Sequence, residues 1–336
     1  MGIYDYKLPF QQRLLDEVDM ALEEIRAGGN SHGILLMGAS GTGKSHALDL
    51  VVGRFGAESQ EGYQRIKTCC RVSSAAKADA PSIAAGVLAQ LGKPVSTSSG
   101  TTKLSELELS MHAAMRAHKV LILILEEFHN ALLSNSPLFR GQTARMLKNI
   151  WNQAPLESAG GWAIPDTHRG DYRLLIIVSG TDELRKPFDT DKELGSRFSC
   201  VIETEQPRFF PPESLREFRL VLQSLAERYG LADHLDANND DVASRLLIAC
   251  GAHYRKLEKL LQRIATLSRR HPEQNLSLEM LATAYDQVGD NGHLIGNPFR
   301  WSSEEVTAYV KRAMAMPKIT AHTTNEKPKG SRKKKG

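Results

Sequence analysis

"MGASGTGKSH", residues 37–46, is the stretch that decides the fold of this chain. It follows the apolar run Ile34–Met37 and precedes a stretch with helical apolar spacing, and Gly38–Ser45 matches the phosphate-loop pattern G-x-x-x-x-G-K-S. Glycines let the backbone curl so that its N–H groups point at anionic oxygens, and the N-terminus of the following helix adds positive partial charge. The stretch therefore predicts a nucleoside-triphosphate site between a buried strand and a helix.

The side chains of this loop have separate expected roles. Lys44 is expected to reach the β- and γ-phosphates, and the Ser45 hydroxyl is expected to bind Mg²⁺. The other residues expected to bind the nucleotide are Gly38, Ala39, Ser40, Gly41, Thr42, Gly43 and His46. The predicted cofactors are ATP and Mg²⁺, and the predicted activity is ATP hydrolysis.

A pair of carboxylates, Glu126 and Glu127, follows the apolar run Val120–Leu125. In phosphate-loop ATPases an acid at this position supports Mg²⁺, and a second one often polarises the attacking water. We expect Glu126 to be the Mg²⁺-side carboxylate and Glu127 to be the general base. The first acid is usually Asp, and Glu is one methylene longer, so the metal contact is expected to shift or to run through water. The alternative is two acids at the solvent end of a strand.

Three further positions are candidates for contact with the γ-phosphate. Thr181, or else Ser179, follows the apolar run from Leu174 and would lie near the phosphates if this strand lies between the other two. A helix N-cap by Thr181 or Asp182 is the alternative. Arg197 precedes another predicted strand, where an arginine can reach the nucleotide of a neighbouring subunit. Arg255, early on a later helix, is expected to reach the nucleotide from a second domain, and an ordinary surface arginine is the alternative for both.

The apolar pattern along the chain predicts an α/β fold followed by a helical region. Short runs that are apolar on both faces alternate with helical patterns, which indicates a parallel sheet covered by helices. No strand pattern follows Gln206. The predicted divisions are an N-terminal segment and helix (1–30), an α/β nucleotide-binding domain (31–207), a small all-helical lid (208–290) and a basic tail (291–336).

Net charge, the length of apolar runs and the spacing of cysteines limit the kinds of protein that this chain can be. The chain has 336 residues and a net charge of +4, but residues 317–336 hold seven basic side chains and one acidic, so the rest of the chain carries −2. We expect this tail to be disordered and either to contact nucleic acid or an acidic partner, or only to aid solubility. The longest apolar run is too short to span a bilayer, and Met1–Pro9 lacks a signal-peptide pattern. The four cysteines show no metal-site spacing, so we expect reduced thiols and a cytoplasmic protein.

The order of these motifs resembles the AAA+ ATPases over about residues 10–290. More narrowly, the chain resembles the TniB/TnsC family of transposon target-selection ATPases. The stretches that carry this narrower resemblance are LEEFHNAL (125–132), SGTDELRK (179–186), ELGSRF (193–198), GAHYRKLEKLL (251–261) and NPF (297–299). The family's nucleotide positions are matched by Lys44, Ser45, Glu126, Glu127, Thr181, Arg197 and Arg255. Residues 154–172 resemble an insertion whose role is open.

The resemblance implies a bacterial protein that assembles on double-stranded DNA as an ATP-dependent ring or filament. It implies a link between a target-recognition protein and the transposase, and disassembly by ATP hydrolysis. Basic residues on segments that flank the acidic strand are the expected phosphate contacts, although each could be an ordinary solvated charge. They are Lys103, Arg140, Arg145 and Lys148. Phe299 and Trp301 are expected to dock either on the transposase or on the chain itself.

Two other functions fit the same motifs. One is a helicase loader or initiator-like ATPase acting in replication. The other is a signalling or secretion-associated ATPase that switches without DNA. Filter binding at low and moderate salt separates the last from the others, because phosphate contacts weaken steeply with salt.

Overall fold

The structure of the chain is a computed structural model that describes residues 6–74, 78–95, 103–134, 136–152, 172–271, 276–288 and 296–315. The chain divides into two compact units, one of Met1–Gln206 with Ala252–Glu258 and one of Pro207–Gly251 with Lys259–Gly336. Our four predicted divisions are finer than this split and stay predictions.

The first unit alternates strands and helices. Its elements are α1 (Pro9–Arg26), β1 (His32–Gly38), α2 (Lys44–Phe55), β2 (Glu58–Glu61), β3 (Gln64–Lys67), β4 (Cys69–Ser73), α3 (Ala80–Gln90), α4 (Leu104–Ala117), β5 (Ile122–Glu126), α5 (His129–Leu132), α6 (Pro137–Asn152), β6 (Leu175–Gly180), α7 (Arg185–Thr190), α8 (Lys192–Arg197) and β7 (Cys200–Thr204). The described part of the chain after Gln206 has helices and no strands: α9 (Pro212–Tyr229), α10 (Asp240–Cys250), α11 (Tyr254–Arg270), α12 (Leu278–Val288) and α13 (Ser303–Ala315). Helix α11 begins in the first unit and continues in the second.

Five strands form one parallel sheet in the order β4-β5-β6-β1-β7. Strand β6 lies between β5 and β1, which is the order that the γ-phosphate prediction required. The carboxyl ends of parallel strands meet at one edge, so the phosphate loop, the acidic pair and the end of β6 share that edge.

Helices bury both faces of this sheet. Along β1, Leu35 and Met37 belong to one apolar cluster, whereas Ile34 and Leu36 belong to another on the opposite face. This alternation follows from the two-residue period of side chains along a strand. It confirms the predicted parallel sheet covered by helices.

A short hairpin and several helices were not predicted. Strands β2 and β3 pair antiparallel around Gly62. All hairpin residues except Ile66 and Lys67 are exposed, so the sequence has no apolar alternation to mark them. Helices α5, α7 and α8 are too short for a periodic pattern, and α13 lies in the predicted tail.

The segment around Phe299 packs on its own unit. Phe299 is buried with its ring edge against Tyr285. The Asn297 amide donates to the carbonyl of Ala282, and the Arg245 guanidinium donates to the Pro298 and Trp301 carbonyls. Of the two expectations for Phe299, docking on the chain itself is therefore the one observed.

Two predicted features lie largely outside the described residues. Of the insertion 154–172, only Tyr172 is described, and its hydroxyl donates to the Met115 carbonyl at 3.1 Å. The basic tail from 316 onward is also outside. No helix among the described ranges has the length and apolarity to cross a membrane.

Candidate nucleotide-binding site

The phosphate loop is the turn between β1 and α2, and contacts between backbone atoms require its glycines. Gly38 and Gly41 have φ of +150° and +81°. A Cβ on Gly38 would lie 2.0 Å from Thr204 Oγ1, so only glycine lets β1 run this close to β7. The Thr42 hydroxyl lies 2.6 Å from the same Thr204 oxygen. The loop is thus shaped by these close contacts and is tied to the neighbouring strand.

Lys44 lies buried in this loop. Its Nζ donates to the carbonyls of Gly38 and Ala39, both at 2.7 Å. Burial lowers the pKa of Lys44, while the nearby charges of Glu127, Asp182 and Glu126 raise it. Both hydrogen-bond partners that the described residues supply are neutral carbonyls. A buried ammonium held in this way fits an anionic phosphate, so the loop suits the triphosphate predicted for it.

The two carboxylates at the end of β5 are placed differently. The Glu126 side chain is 10% exposed and accepts hydrogen bonds from Arg71, whereas that of Glu127 is 43% exposed. Glu127 has φ +54°, a left-handed conformation that costs a non-glycine residue about 1–2 kcal/mol. The N–H of the next residue, the fully buried Phe128, donates to the Ser179 carbonyl at 2.9 Å. This turn directs Glu127 away from the protein interior, which suits contact with water.

Arg71, on β4, was missed by the sequence analysis. Its Nε and Nη2 lie 3.0 and 2.6 Å from Glu126 Oε2. Its Nη1 donates to Asp49 on α2, and Nη2 lies 3.5 Å from the Ser45 carbonyl. Burial lowers the pKa of Arg71, but its hydrogen bonds to Glu126 and Asp49 more than offset this and raise it overall. The only sequence signal was a charged residue in an otherwise buried strand.

His129, at the start of α5, was also not assigned a role. Its Nδ1 lies 3.6 Å from Glu127 Oε2 and is buried, with no hydrogen-bond partner among the described residues. A Cβ on Gly180 would lie 2.9 Å from this nitrogen, so the glycine after Ser179 leaves room for the ring. The imidazole is thus next to the expected base.

The end of β6 places Ser179 and Thr181 beside the phosphate loop. Ser179 is buried and pairs in register with Leu36 on β1. The Thr181 side chain makes no capping hydrogen bond to the short helix that follows, and its Oγ1 is buried without a partner in the described ranges. A side-chain N-cap by Thr181 is therefore not observed, and the sensing role of Thr181 stays a prediction.

The start of α11 contacts the phosphate loop within the first unit. His253 Nδ1 lies 2.8 Å from the Ser40 carbonyl, and the Tyr254 N–H donates to the Gly41 carbonyl at 3.0 Å. Arg255 is exposed, and its charge contributes to lowering the pKa of Lys44. Arg255 thus lies in the first unit and not in a second domain, and its role toward the nucleotide stays a prediction. His253 was missed because its contacts are to distant backbone atoms.

Arg197 is engaged within its own chain. Its Nη2 lies 2.9 Å from Glu193 and donates to Asn152 at the same distance, and the side chain is 14% exposed. Reaching a neighbouring nucleotide would require it to leave these partners. The role of Arg197 in a second subunit stays a prediction.

The four predicted DNA contacts divide into two kinds. Lys103, Arg140 and Arg145 are exposed, as phosphate contacts require. Lys148 instead binds Asp191 and Glu193, and these hydrogen bonds raise its pKa. Its charge is already compensated, which makes it the weakest of the four candidates.

Solved structures with the same fold include ORC and Cdc6 proteins. They include the Aeropyrum pernix ORC2 protein with ADPNP and ADP (15% identity, TM-score 0.61, covering 86% of this chain and 70% of that one). The Aeropyrum pernix ORC1 protein in complex with DNA is similar at 16% identity and TM-score 0.58, covering 84% and 66%. Cdc6p from Pyrobaculum aerophilum is similar at 15% identity and TM-score 0.55, covering 94% and 73%. At such identities, these similarities establish the AAA+ fold alone.

Sequence comparison finds one similar protein family. No curated protein matches the sequence significantly. The family model described as "TniB: Bacterial TniB protein" matches residues 7–159, a range that contains both the phosphate loop and the acidic pair. Residues 7–159 are therefore similar to the TniB family, in a chain that has the AAA+ fold.

Proposed function

We propose that this chain is an ATP-dependent regulator of DNA transposition. It binds and hydrolyses ATP with Mg²⁺ and oligomerises on double-stranded DNA in the bacterial cytoplasm. There it links a target-recognition protein to the transposase until hydrolysis dismantles the assembly. The observation that carries the proposal is the convergence of the phosphate loop with Glu126 and Glu127 at one sheet edge, within the range that matches TniB.

The chemistry follows from the placement of these groups. Loop N–H groups and Lys44 bind the phosphates, for which Lys44 exchanges its two carbonyl partners. Ser45 and Glu126 would hold Mg²⁺, which when bound neutralises charge on the phosphate oxygens. Glu127, directed toward water, accepts the proton of the attacking water molecule. Thr181, and Arg255 at the start of α11, support the phosphate charge from two sides.

DNA binding rests on charge placed at the surface. The body of the chain is slightly acidic, so contact with DNA must come from local basic groups repeated around an oligomer. Lys103, Arg140 and Arg145 are exposed and suit phosphate contact. The described residues present no base-reading module, so we expect binding with little sequence preference.

Electron microscopy and sedimentation of the full chain with a non-hydrolysable ATP analogue and duplex DNA test this proposal. We expect rings or filaments on DNA that require both ligands, and none from the Lys44→Ala variant. A protein that remains monomeric with both ligands would refute it. Copurification with a replicative helicase, and with no transposase, would instead identify the helicase-loader or initiator-like alternative.

A further inference from the structure

One guanidinium joins the two elements that would hold Mg²⁺. Arg71 contacts Glu126 on β5 through two nitrogens, and it contacts α2 through Asp49 and the Ser45 carbonyl. Ser45 and Asp49 are four residues apart on α2 and so lie on the same face of the helix. Arg71 therefore links the helix that carries Ser45 to the strand that carries Glu126.

Both N–H donors of Arg71 bind the same oxygen of Glu126. They lie 3.0 and 2.6 Å from Oε2, and among the described residues no side chain donates to Oε1, which suits a metal ion or a water bound to it. Glu has one more rotatable bond than Asp, and so holds its carboxylate less firmly by itself. An arginine that binds one carboxylate oxygen removes this freedom and presents the other.

Burial strengthens the electrostatic attraction between Arg71 and Glu126. The side chain of Glu126 is 10% exposed and that of Arg71 is 24% exposed, so water screens the pair poorly. Asp49, by contrast, is 63% exposed, so it aligns the guanidinium at a small desolvation cost. Partners of this kind orient metal ligands and tune metal affinity in other sites.

We propose that Arg71 is a positioning residue that sets the Mg²⁺ affinity of the nucleotide site by holding Glu126. The inference rests on the proposed nucleotide site and is independent of DNA assembly. In this proposal Arg71 acts through the Glu126 carboxylate and the Ser45 backbone.

The test is nucleotide binding by the full chain across a Mg²⁺ series, with a fluorescent non-hydrolysable ATP analogue and with EDTA as the zero point. For Arg71→Gln, we expect the Mg²⁺ concentration that gives half-maximal enhancement to rise roughly 10- to 100-fold. The affinity without Mg²⁺ should be unchanged, since the phosphate loop is intact. Arg71→Lys, which keeps the charge but not the forked donors, should recover part of this loss.

Matched variants separate positioning from a merely structural role. Arg65→Gln removes an arginine that pairs with Glu58 on the exposed hairpin, and it should leave the Mg²⁺ response unchanged. Adding Arg71→Gln to Glu126→Gln should produce no further change, because Arg71 acts through that carboxylate. Asp49→Asn changes an exposed side chain, so we expect this variant to fold. It should give a smaller rise in the Mg²⁺ concentration that produces half-maximal enhancement.

Specific results overturn the proposal. It fails if Arg71→Gln leaves the Mg²⁺ response unchanged, if it weakens Mg²⁺-free binding by the same factor, or if it acts equally in the Glu126→Gln background. Should Arg71→Gln not fold, an unaltered response in both Arg71→Lys and Asp49→Asn overturns it. A wild-type chain that binds no nucleotide refutes the nucleotide site as well. Normal nucleotide binding without assembly on DNA refutes only the proposed function.

Discussion

Glu127 combines the position expected of a general base with a strained backbone, and substituting it tests both. Its φ of +54° costs a non-glycine residue about 1–2 kcal/mol. Glycine avoids that cost but loses roughly 0.5–1 kcal/mol more to backbone entropy on folding. Glu127→Gly should therefore be more stable than Glu127→Gln by about 0.5–1 kcal/mol, because glutamine keeps the left-handed strain.

Hydrolysis gives the second measurement on the same variants. Both should retain ATP binding and lose roughly 10²- to 10⁴-fold in hydrolysis, because neither can accept the proton of the attacking water. Free energies of unfolding come from urea titrations, and rates come from phosphate release. Ala252→Gly is the matched control, since Ala252 has φ +64° and should gain stability without losing hydrolysis.

Two outcomes would refute this reasoning separately. If Glu127→Gly is no more stable than Glu127→Gln while Ala252→Gly is stabilised, the turn at Glu127 is not strained. If Glu127→Gln hydrolyses ATP at the wild-type rate, Glu127 is not the general base.

The remaining predictions concern assembly, packing and thiol reactivity. Lys44→Ala should bind no ATP, and Arg197→Ala alone should not hydrolyse it. A mixture of the two variants should regain part of the hydrolysis rate, because the Lys44→Ala subunit still supplies Arg197 to a neighbour. No recovery on mixing would exclude Arg197 from the shared site. Phe299→Ala should destabilise the second unit by about 3–5 kcal/mol, visible in urea unfolding followed by tryptophan fluorescence, and an unchanged midpoint would contradict its buried packing. Burial raises the pKa of Cys69 to about 12 and that of Cys70 to about 11, so both thiols stay protonated at pH 8. Iodoacetamide should therefore label them only after unfolding. Rapid labelling of the native protein, read by mass spectrometry, would show that the two thiols are accessible.

Features encoded by neighbouring residues were predictable from the sequence. The phosphate loop was predictable because its glycine spacing and the lysine that follows are encoded within eight residues. The strands β1, β5 and β6 were predictable because each is an apolar run buried on both faces. The γ-phosphate prediction required that β6 lie between β5 and β1, and the structure has this order.

Contacts between distant residues were not predictable in this way. Arg71 and Glu126 are 55 positions apart and meet only because β4 pairs with β5. His253 reaches Ser40 across 213 positions. Likewise, nothing local indicates that Lys148 is neutralised by Asp191 and Glu193, since those carboxylates come from another helix. Such roles depend on topology, and a single sequence does not specify register between strands.

The hairpin β2–β3 offers a place to attach a reporter. Tyr63 at its tip is fully exposed, and the hairpin is antiparallel and separate from the five-stranded sheet. Burial raises the pKa of the thiols of Cys69, Cys70 and Cys200, and Cys250 is buried, so a Tyr63→Cys variant would carry by far the most reactive thiol in the chain. A dye placed there would let the joining of single molecules on a stretched duplex be watched in real time, without altering the sheet that carries the nucleotide loop.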